Sequence, residues 1–183
     1  MDRLVKPALL ISLMLTGAIF GFFYAWFCST LWGLDDIDPR VAMESMQAMN
    51  ATVRNFAFFP IFFLPPLATG LSAVVTWLTG ARLSTHLLAA ATVLYLGGCL
   101  ILTSTVNVPM NEALAATPVP ADEASARAIW QEYSSGWQFY NGIRTVAAGV
   151  CMALVSWAAL SARPAASTPE REQSRAALAV QRG

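Results

Sequence analysis

Five residues in the last third of the sequence have types and spacing that suit the binding of a flat, electron-rich ligand. They belong to the stretch "AIWQEYSSGWQFYNGIRTV" and are Trp130, Tyr133, Trp137, Asn141 and Arg144. On a continuous helix they project within about an 80° sector. Aromatic rings stack on planar ligands, while an amide and a guanidinium hold carbonyl or phenolate oxygens. The spacing therefore predicts one polar-aromatic stripe, although the aromatic residues taken alone are also typical of a membrane-interface belt.

Arg144 is the member of this stripe that a belt does not explain. If the helix enters an apolar layer near Trp137, the guanidinium lies about two turns, roughly 10 Å, below the entry point. Ionisable groups at that depth are energetically expensive and normally face a protein interior or a wet cavity. We therefore favour a buried functional role for Arg144 over snorkelling to the membrane surface.

The stretch "TSTVNVPMNEAL" places two further amides beside the stripe. It follows a long apolar run and ends on the side where the next run begins, so Asn107 and Asn111 should lie next to Trp130 to Arg144. Pro109 should block simple continuation of the helix and free backbone carbonyls. The asparagines can satisfy that broken backbone or point at a ligand.

A third polar segment, "RVAMESMQAMNATVRN" from Arg40 to Asn55, fits an amphipathic helix. At 100° per residue, Met43, Gln47, Asn50 and Arg54 share one narrow face. The segment can lie on the membrane surface or fold down as a lid, and on this pattern alone we favour the interfacial helix. Together with the stripe and the two amides, it predicts a pocket for a small aromatic, phenolic or quinone-like ligand.

The elements that position these residues are membrane spans. Hydrophobic residues make up 56% of the chain and charged residues only 12%, which is far from the balance of a soluble domain. Apolar runs long enough for a bilayer core of roughly 30 Å occur at residues 7–31, 56–79, 87–106 and 139–160. The first run is too long for a signal peptide and lacks a cleavage site, so we keep it as a span. We predict an all-α integral membrane four-helix bundle, with an extra amphipathic outer-face helix between spans 1 and 2 and a helical extension before span 4.

Two sequence features predict how the bundle packs. Gly17, Gly21 and Ala25 recur at four-residue steps, which favours close approach of another helix to span 1. The prolines of span 2 each remove a backbone donor and leave a carbonyl in need of another partner, so a kinked or widened helix is expected. These prolines are Pro60, Pro65 and Pro66.

Charge predicts the orientation. With four spans both termini share a side, and that side collects Arg3, Lys6, Arg82, Arg163, Arg171, Arg175 and Arg182. The opposite side is acidic, with Asp35, Asp36, Asp38, Glu44, Glu112, Asp122, Glu123 and Glu132. The positive-inside rule then predicts a multi-pass protein of the cell membrane with both termini in the cytoplasm. Residues 1–162 form the transmembrane domain, and 163–183 a mobile cytoplasmic tail.

Several other classes of function have little support in the sequence. No basic-aromatic patch indicates nucleic acid, and no acidic residue inside a span indicates a coupled transporter. The single histidine, His86, falls at the end of span 3 opposite the polar cluster, and the cysteines lack metal-site spacing, so no metal site is expected. No nucleotide fingerprint, catalytic Ser-His-Asp set or haem-binding histidine pair occurs. The expected partners are the lipid bilayer and a small ligand, and a homo-oligomer remains open.

The chain resembles the anthrone oxygenase-like membrane proteins, a family also catalogued as a domain of unknown function. The matching elements are "ESMQAMNATVRN", "TSTVNVPMNEAL" and "WQEYSSGWQFYNGIRT", in this order among four apolar runs, and the resemblance spans residues 7–160. The family is similar to fungal enzymes that oxidise anthrones to anthraquinones with molecular oxygen. One departure is Gly142, because many members are expected to have histidine at that position.

The resemblance implies a membrane-embedded oxygenase that works on anthrone-like or phenolic substrates without a bound cofactor. Arg144 would stabilise the enolate or phenolate, with Asn141 orienting the substrate and Tyr133 as a proton relay. Trp130 and Trp137 would stack on the rings. The remaining substrate-binding candidates are Asn107, Asn111, Gln47, Asn50 and Arg54. The alternative is a non-catalytic quinone- or lipid-binding membrane subunit, which would use the same pocket and need no proton acceptor.

Overall fold

The computed structural model describes residues 2–162, and within this range the chain is almost entirely helical with no strand. Four helical runs are long and apolar enough to cross a membrane. These are span 1 (Arg3–Asp35), span 2 (Phe58–Leu78), span 3 (Arg82–Ala116) and span 4 (Glu123–Ser161). The chain is therefore a multi-pass membrane protein, and the predicted all-α four-helix class is confirmed.

Spans 1 and 3 are not regular helices throughout, because each contains wider π-helical turns. Span 1 consists of α1 (Asp2–Ala25), π1 (Trp26–Thr30) and α2 (Leu31–Asp35). Span 3 consists of α5 (Arg82–Tyr95), π2 (Leu96–Ile101), π3 (Thr103–Asn107) and α6 (Val108–Ala116). The remaining helices are α3 (Pro39–Thr52), α4 (Phe58–Leu78) and α7 (Glu123–Ser161).

The four spans form a closed ring in which α1 and α5 each pack on both α4 and α7. One half of the bundle, residues 3–20, 69–94 and 147–162, is called the closed half here. Its core is made of small and branched apolar side chains such as Ile19, Leu88, Ala148 and Val155. Buried hydroxyls supplement the packing: Ser12 Oγ lies 2.9 Å from Ser72 Oγ, between α1 and α4.

The other half, residues 21–68 and 95–146, is called the open half. Here a second cluster of buried residues joins α2, α3, α6 and the N-terminal part of α7. This part, residues 123–138, precedes the predicted apolar run of span 4 and is called the extension. Asp38 begins α3 as its N-cap by accepting a hydrogen bond from the backbone N–H of Arg40 at 2.9 Å. Asp122 begins α7 in the same way, through the N–H of Ser125 at 2.8 Å.

The prediction that α3 lies on the membrane surface is wrong, because other helices cover its apolar face. Ala42, Met43 and Met46 are fully buried, and they pack in one cluster with Leu114 and Trp130. The sequence pattern shows that α3 has an apolar face but not what covers it. The segment instead folds over the open half as a lid.

The prolines of spans 2 and 3 have different outcomes, and only Pro109 departs from expectation. Pro66 has no N–H to donate to the carbonyl of Phe62, so this carbonyl needs another hydrogen-bond donor. The Tyr95 hydroxyl supplies it at 2.7 Å. Pro109, in contrast, does not end span 3. It lies in the first turn of α6, directly after π3, where the N–H of Val108 bonds to the carbonyl of Thr103. The wider π turn carries the helix past the proline.

The stripe of small residues in span 1 is not where helices approach most closely. Gly21 and Ala25 are exposed, and a Cβ at Gly21 would meet nothing within 4 Å. The close approach occurs at Gly98, where an added Cβ would lie 2.7 Å from Cβ of Ala147. Spacing alone identifies candidate contact stripes, but the neighbouring helix decides which stripe is used.

The charge-based orientation stays a prediction, as does the division into a domain and a tail. The outer ends of spans 1 and 4, residues 3 and 161, lie at the same end of the bundle. Ser12 near the start of span 1 pairs with Ser72 near the end of span 2, and Ser84 at the start of span 3 pairs with Ala158 at the end of span 4. The short turn between spans 2 and 3 joins these two contacts. The predicted cytoplasmic tail, residues 163–183, lies outside the described residues.

Candidate functional site

The open half contains a cavity of about 270 Å³ between the four spans and beneath the C-terminal end of α3. This volume is close to the lower limit of ligand pockets, about 300 Å³. Of the residues predicted from the sequence, the cavity is lined by Asn50, Arg54, Asn111, Trp137, Asn141 and Arg144. These six residues come from three separate polar segments, so the folded chain brings most of the predicted site together.

Arg144 is the most unusual group in this cavity. Its side chain is 5% exposed, and its guanidinium donates to Asn141 Oδ1 at 2.9 Å and to Thr103 Oγ1 at 3.3 Å. The guanidinium carbon also lies 4.7 Å from the ring centre of Phe23 and 5.0 Å from that of Trp137. These are cation–π distances.

Arg144 has no carboxylate partner within residues 2–162. The ion pairs there join Arg40 to Asp38, Arg54 to Glu112 and Arg127 to Glu123. A buried cation normally pairs with an anion because removing a charge from water is expensive. The rings of Phe23 and Trp137 and the two neutral oxygen acceptors offset only part of this desolvation cost. The cavity is therefore electrostatically suited to a ligand with an anionic or electron-rich oxygen.

Asn111 holds the aromatic part of the site in place. Its Oδ1 accepts hydrogen bonds from Trp137 Nε1 at 2.8 Å and from the Tyr133 hydroxyl at 2.9 Å. Asn50 Nδ2 donates to the same hydroxyl at 3.3 Å, which links the lid helix α3 to α7. Tyr133 does not line the cavity itself, but both of its amide partners do. Its hydroxyl is therefore one hydrogen bond away from two residues of the cavity wall.

Asn141 connects the site to span 1. Its Oδ1 accepts from Arg144, and its Nδ2 donates to the backbone carbonyl of Phe23 at 3.2 Å. Phe23 also stacks on the guanidinium. Asn141 therefore fixes the position of Arg144 relative to one of its two rings.

Asn107 has a different environment from the other amides. It is 1% exposed, and neither its Oδ1 nor its Nδ2 has a hydrogen-bond partner in the described chain. The Nε of Arg144 is the other buried side-chain atom in residues 2–162 without a partner. Asn107 lies one turn from both Thr103 and Asn111 on span 3, but it does not line the cavity. The predicted convergence of Asn107 with Asn141 and Arg144 is thus unsupported by any direct hydrogen bond.

Four of the ten predicted site residues lie outside the cavity: Asn107 and Tyr133, described above, and Gln47 and Trp130. Gln47 Nε2 donates to the carbonyls of Leu114 and Thr117, at 2.8 and 3.0 Å, and so ties α3 to the end of span 3. Trp130 Nε1 donates to Asp35 Oδ1 at 2.9 Å, at the end of span 1. Helical periodicity placed both residues on the right face but could not give their height along the bundle.

The aromatic residues that form one wall of the cavity were not predicted from the sequence. Seven aromatic residues line it from spans 1 and 2: Phe22, Phe23, Trp26, Phe58, Phe59, Phe62 and Phe63. Phe58 and Phe62 stack with ring centres 5.2 Å apart, and Trp26 lies 5.4 Å from Trp137. The stretches "FGFFYAW" and "FAFFPIFF" were the available signal, but phenylalanine is so common in membrane spans that density alone does not mark a site.

Asp35 also has a role that the sequence did not predict. Besides Trp130, its carboxylate accepts hydrogen bonds from Ser134 Oγ at 2.6 Å and from Gln138 Nε2 at 2.8 Å. These contacts fasten the end of span 1 to the extension of α7. They lie outside the cavity, so Asp35 positions the extension.

Charged groups on the lid are paired at its two ends. Arg54 Nη2 lies 3.4 Å from Glu112 Oε1, and both side chains are exposed. At the other end, hydrogen bonds from Arg40 hold the pKa of the Asp38 carboxyl well below its usual range, at about 2. The side chains of Arg54 and Glu112 are more than half exposed, and those of Arg40 and Asp38 are 39% and 35% exposed. Solvent therefore screens both pairs, and each contributes little stability on its own.

Gly142, which occupies the position of an expected histidine, does not face the cavity. A Cβ at this position would lie 3.4 Å from the ring of Phe27, on the outer surface of the bundle. His86 is exposed near the start of α5, at the other end of the bundle. Within residues 2–162, no three histidine, cysteine or acidic side chains cluster as metal ligands would.

Comparison with known proteins gives one match. The family model described as anthrone oxygenase matches residues 58–154, which is just over half of the chain. The matched segment runs from the start of α4 into the second half of α7 and includes the pocket residues of spans 2, 3 and 4. No curated protein and no solved structure matches the chain.

Proposed function

The chain belongs to the anthrone oxygenase family, and from that premise we propose that it oxidises anthrone-like or phenolic aromatic substrates to quinones without a bound cofactor. The substrate would bind in the cavity beneath α3. Molecular oxygen would be the second substrate, and the reaction would be a monooxygenation inside the membrane.

The observation that carries this proposal is the burial of Arg144 against an aromatic cavity with no carboxylate partner in residues 2–162. Preorganised donors in a water-poor site stabilise a developing oxyanion far more strongly than water-exposed donors do. An anthrone that has lost a proton from its central methylene carries negative charge on its carbonyl oxygen. Arg144 is the group that would bind that oxygen.

The chemistry balances without a further co-reactant. The deprotonated substrate is electron-rich enough to transfer one electron to oxygen, and the resulting radical and superoxide combine to form a carbon–oxygen bond. The peroxide that results, once protonated, loses water and leaves a second carbonyl. One anthrone and one oxygen molecule thus give one anthraquinone and one water. The protein would contribute charge stabilisation, orientation and a dry pocket.

The other cavity residues would divide the work of binding. Trp137 and the rings of Phe23 and Phe62 would contact the faces of a planar substrate, while Asn111 and Asn50 would orient its oxygens. Tyr133, which bonds to both amides, would relay a proton. Substrate hydroxyls are needed for this orientation, which favours phenolic over unsubstituted polycyclic substrates.

The test is oxygen consumption by the purified protein in lipid nanodiscs with a panel of hydroxylated anthrones and hydroquinones. We expect uptake of one oxygen per quinone formed, unaffected by chelators, with a rate that rises with pH as the substrate itself ionises. Abolition by a chelator would instead reveal a metal-dependent reaction. The same panel in empty nanodiscs corrects for autoxidation.

A second candidate is a non-catalytic quinone-binding subunit, and one observation favours it. No aspartate, glutamate, histidine or lysine is among the residues that line the cavity, so no strong proton acceptor faces the ligand. A binder needs none. Saturable binding of quinones with no oxygen uptake from any member of the panel would select this function.

A further inference from the structure

The cavity reaches the side surface of the bundle between span 2 and span 3. Helix α4 packs closely on α5 and also meets π2, but within residues 2–162 it makes no comparable contact with π3 or α6. Its N-terminal turns therefore separate from the second half of span 3. Phe59 and Phe63 on one side and Ser104 on the other both line the cavity and remain exposed.

The exposed surface at this gap faces lipid. Phe59 is 44% exposed and Phe63 48% exposed, and both lie in the first two turns of a helix of 21 residues. A helix of that length just crosses the hydrocarbon layer, so Phe63 lies about 8 Å inside it. The gap between α4 and π3 is thus at the depth of the acyl chains.

The side chains at the gap suit the passage of an apolar ligand. The hydroxyl of Ser104 donates to the carbonyl of Leu100 at 3.0 Å, so it is occupied by its own helix. The side chains of Phe59 and Phe63 are uncharged rings. A planar aromatic molecule dissolved in the bilayer would meet no charged side chain in the gap itself, and the charged residues of the cavity behind it are Arg54 and Arg144.

The water-facing side of the same cavity is covered. Helix α3 is fixed there by the buried Met43 and Met46, and by the hydrogen bonds from Gln47 to the end of span 3. The ion pair between Arg54 and Glu112 extends the cover from α3 to α6. Entry from water would require these contacts to break, whereas entry from lipid requires only movement of exposed phenylalanine rings.

We propose that the substrate enters sideways from the bilayer, through the gap between α4 and π3, and is a flat, lipid-soluble polycyclic phenol. This rests on the proposed function, since it names the substrate class and route for that same cavity. Ser104 is then an entrance residue, because its small side chain leaves the gap open. The proposal excludes hydrophilic aromatic substrates that do not partition into membranes.

The test measures how fast a dihydroxyanthraquinone binds to the full-length protein in liposomes. Mixing with probe-loaded vesicles should quench the fluorescence of Trp26 and Trp137, and the saturable part of that quenching reports occupancy of the cavity. We expect Ser104→Phe to slow binding on the order of tenfold. The matched control is Thr105→Phe, next to it on π3: Thr105 is also exposed but does not line the cavity, so its replacement should leave the rate unchanged.

A second variant tests the same gap in the opposite direction. Phe63→Ala removes a ring from the entrance and should speed binding, and this result does not depend on how well Ser104→Phe folds. The water-soluble probe anthraquinone disulfonate should bind none of the proteins. Equal rates for wild type, Ser104→Phe and Phe63→Ala would overturn sideways entry while leaving the proposed function intact. The absence of saturable binding to wild type would overturn the proposed function, and the entry route with it.

Discussion

The closed half and the open half are built from the same four spans, but they differ in whether every buried polar group has a hydrogen-bond partner. In the closed half every buried hydroxyl has a partner: Thr69 pairs with Thr92 at 2.8 Å, and Ser84 donates to the carbonyl of Ala158 at 2.9 Å. In the open half the Arg144 Nε and the Asn107 amide have none within the described chain. Polar groups inside a membrane are expensive unless satisfied. The buried side-chain polar atoms without a partner in the described chain therefore all lie in the half that contains the cavity.

The backbone shows the same contrast. The closed half is regular α-helix, whereas the open half contains all three π segments of the described chain and the prolines of spans 2 and 3. π-helical turns are rare and are frequently found at functional sites. Irregularity and unsatisfied polarity thus occur together around one cavity.

The strongest test of this contrast is the removal of the buried cation. Arg144→Ala should lower the turnover of an anthrone by about 10²–10³, because one preorganised donor to an oxyanion is worth that much in rate. Arg144→Lys should recover only part, since an ammonium lacks the planar fork of the guanidinium. Oxygen uptake is the measurement. His86→Ala, at the far end of the bundle, is the control and should be silent; a comparable loss there would contradict the assignment of function to the open half.

A second test concerns Tyr95, at the boundary between the halves. Tyr95→Phe should destabilise the protein by about 1–3 kcal/mol, because it leaves the buried carbonyl of Phe62 without a donor. In a Pro66→Ala background the backbone N–H returns to that carbonyl, so the same change should have much less effect. Thermal unfolding of the four proteins in one detergent measures this coupling. Equal losses in both backgrounds would show that the hydroxyl does not compensate for Pro66.

A paired substitution compares the halves directly through their stability. Ser84→Ala should cost about 0.5–1.5 kcal/mol, since it removes a satisfied hydrogen bond of the closed half. Asn107→Leu should cost nothing or stabilise, because it replaces an unpartnered buried amide by an apolar group of similar size. Unfolding midpoints under identical conditions give the signs. A large loss of stability for Asn107→Leu would mean that the Asn107 amide has hydrogen-bond partners, as the buried hydroxyls of the closed half do.

The smallest expected effect is at the start of the lid. The pKa of the Asp38 carboxyl is lowered to about 2 by Arg40, so its stabilising contribution is complete above the ordinary aspartate pKa of about 3.9 and is lost as the pH falls through 2. Asp38→Asn keeps the N-cap but not the charge. Amide hydrogen exchange in α3 should therefore be faster in the variant than in wild type above pH about 4. The two should converge as the pH approaches 2, and a difference that persists there would point to the cap itself.

Much of the fold was predictable, because length and hydropathy locate spans almost independently of their neighbours. The extension before span 4 and the shared face of Trp137, Asn141 and Arg144 followed from helical period alone. What the period cannot give is the translation of one helix along another. Gln47 and Trp130 were therefore assigned to the ligand, although they bind α6 and Asp35 instead.

The parts that escaped prediction depend on contacts between distant segments. Whether α3 lies on lipid or on protein is decided by its partners, which its own amphipathic pattern does not contain. The phenylalanine wall was invisible for a related reason, since Phe62 at the cavity and Phe56 on the surface have the same composition around them. The continuation of span 3 past Pro109 depended on π3, and a π turn leaves no recognisable mark in a single sequence.

The π segments of span 3 have a consequence for how this protein can change in length. A π turn holds one residue more than an α turn, so each such segment behaves as a stored single-residue insertion. Deleting one residue within π3 would let that segment close into α-helix, so α5 and α6 would keep nearly the same faces towards their neighbours. A deletion within regular α-helix would instead rotate the following part by about 100°. Tyr95 could then still donate to α4 after the deletion in π3, and Asn111 could still accept hydrogen bonds from α7. Homologous chains should therefore tolerate a one-residue gap in this segment, but not in the regular α-helix on either side of it.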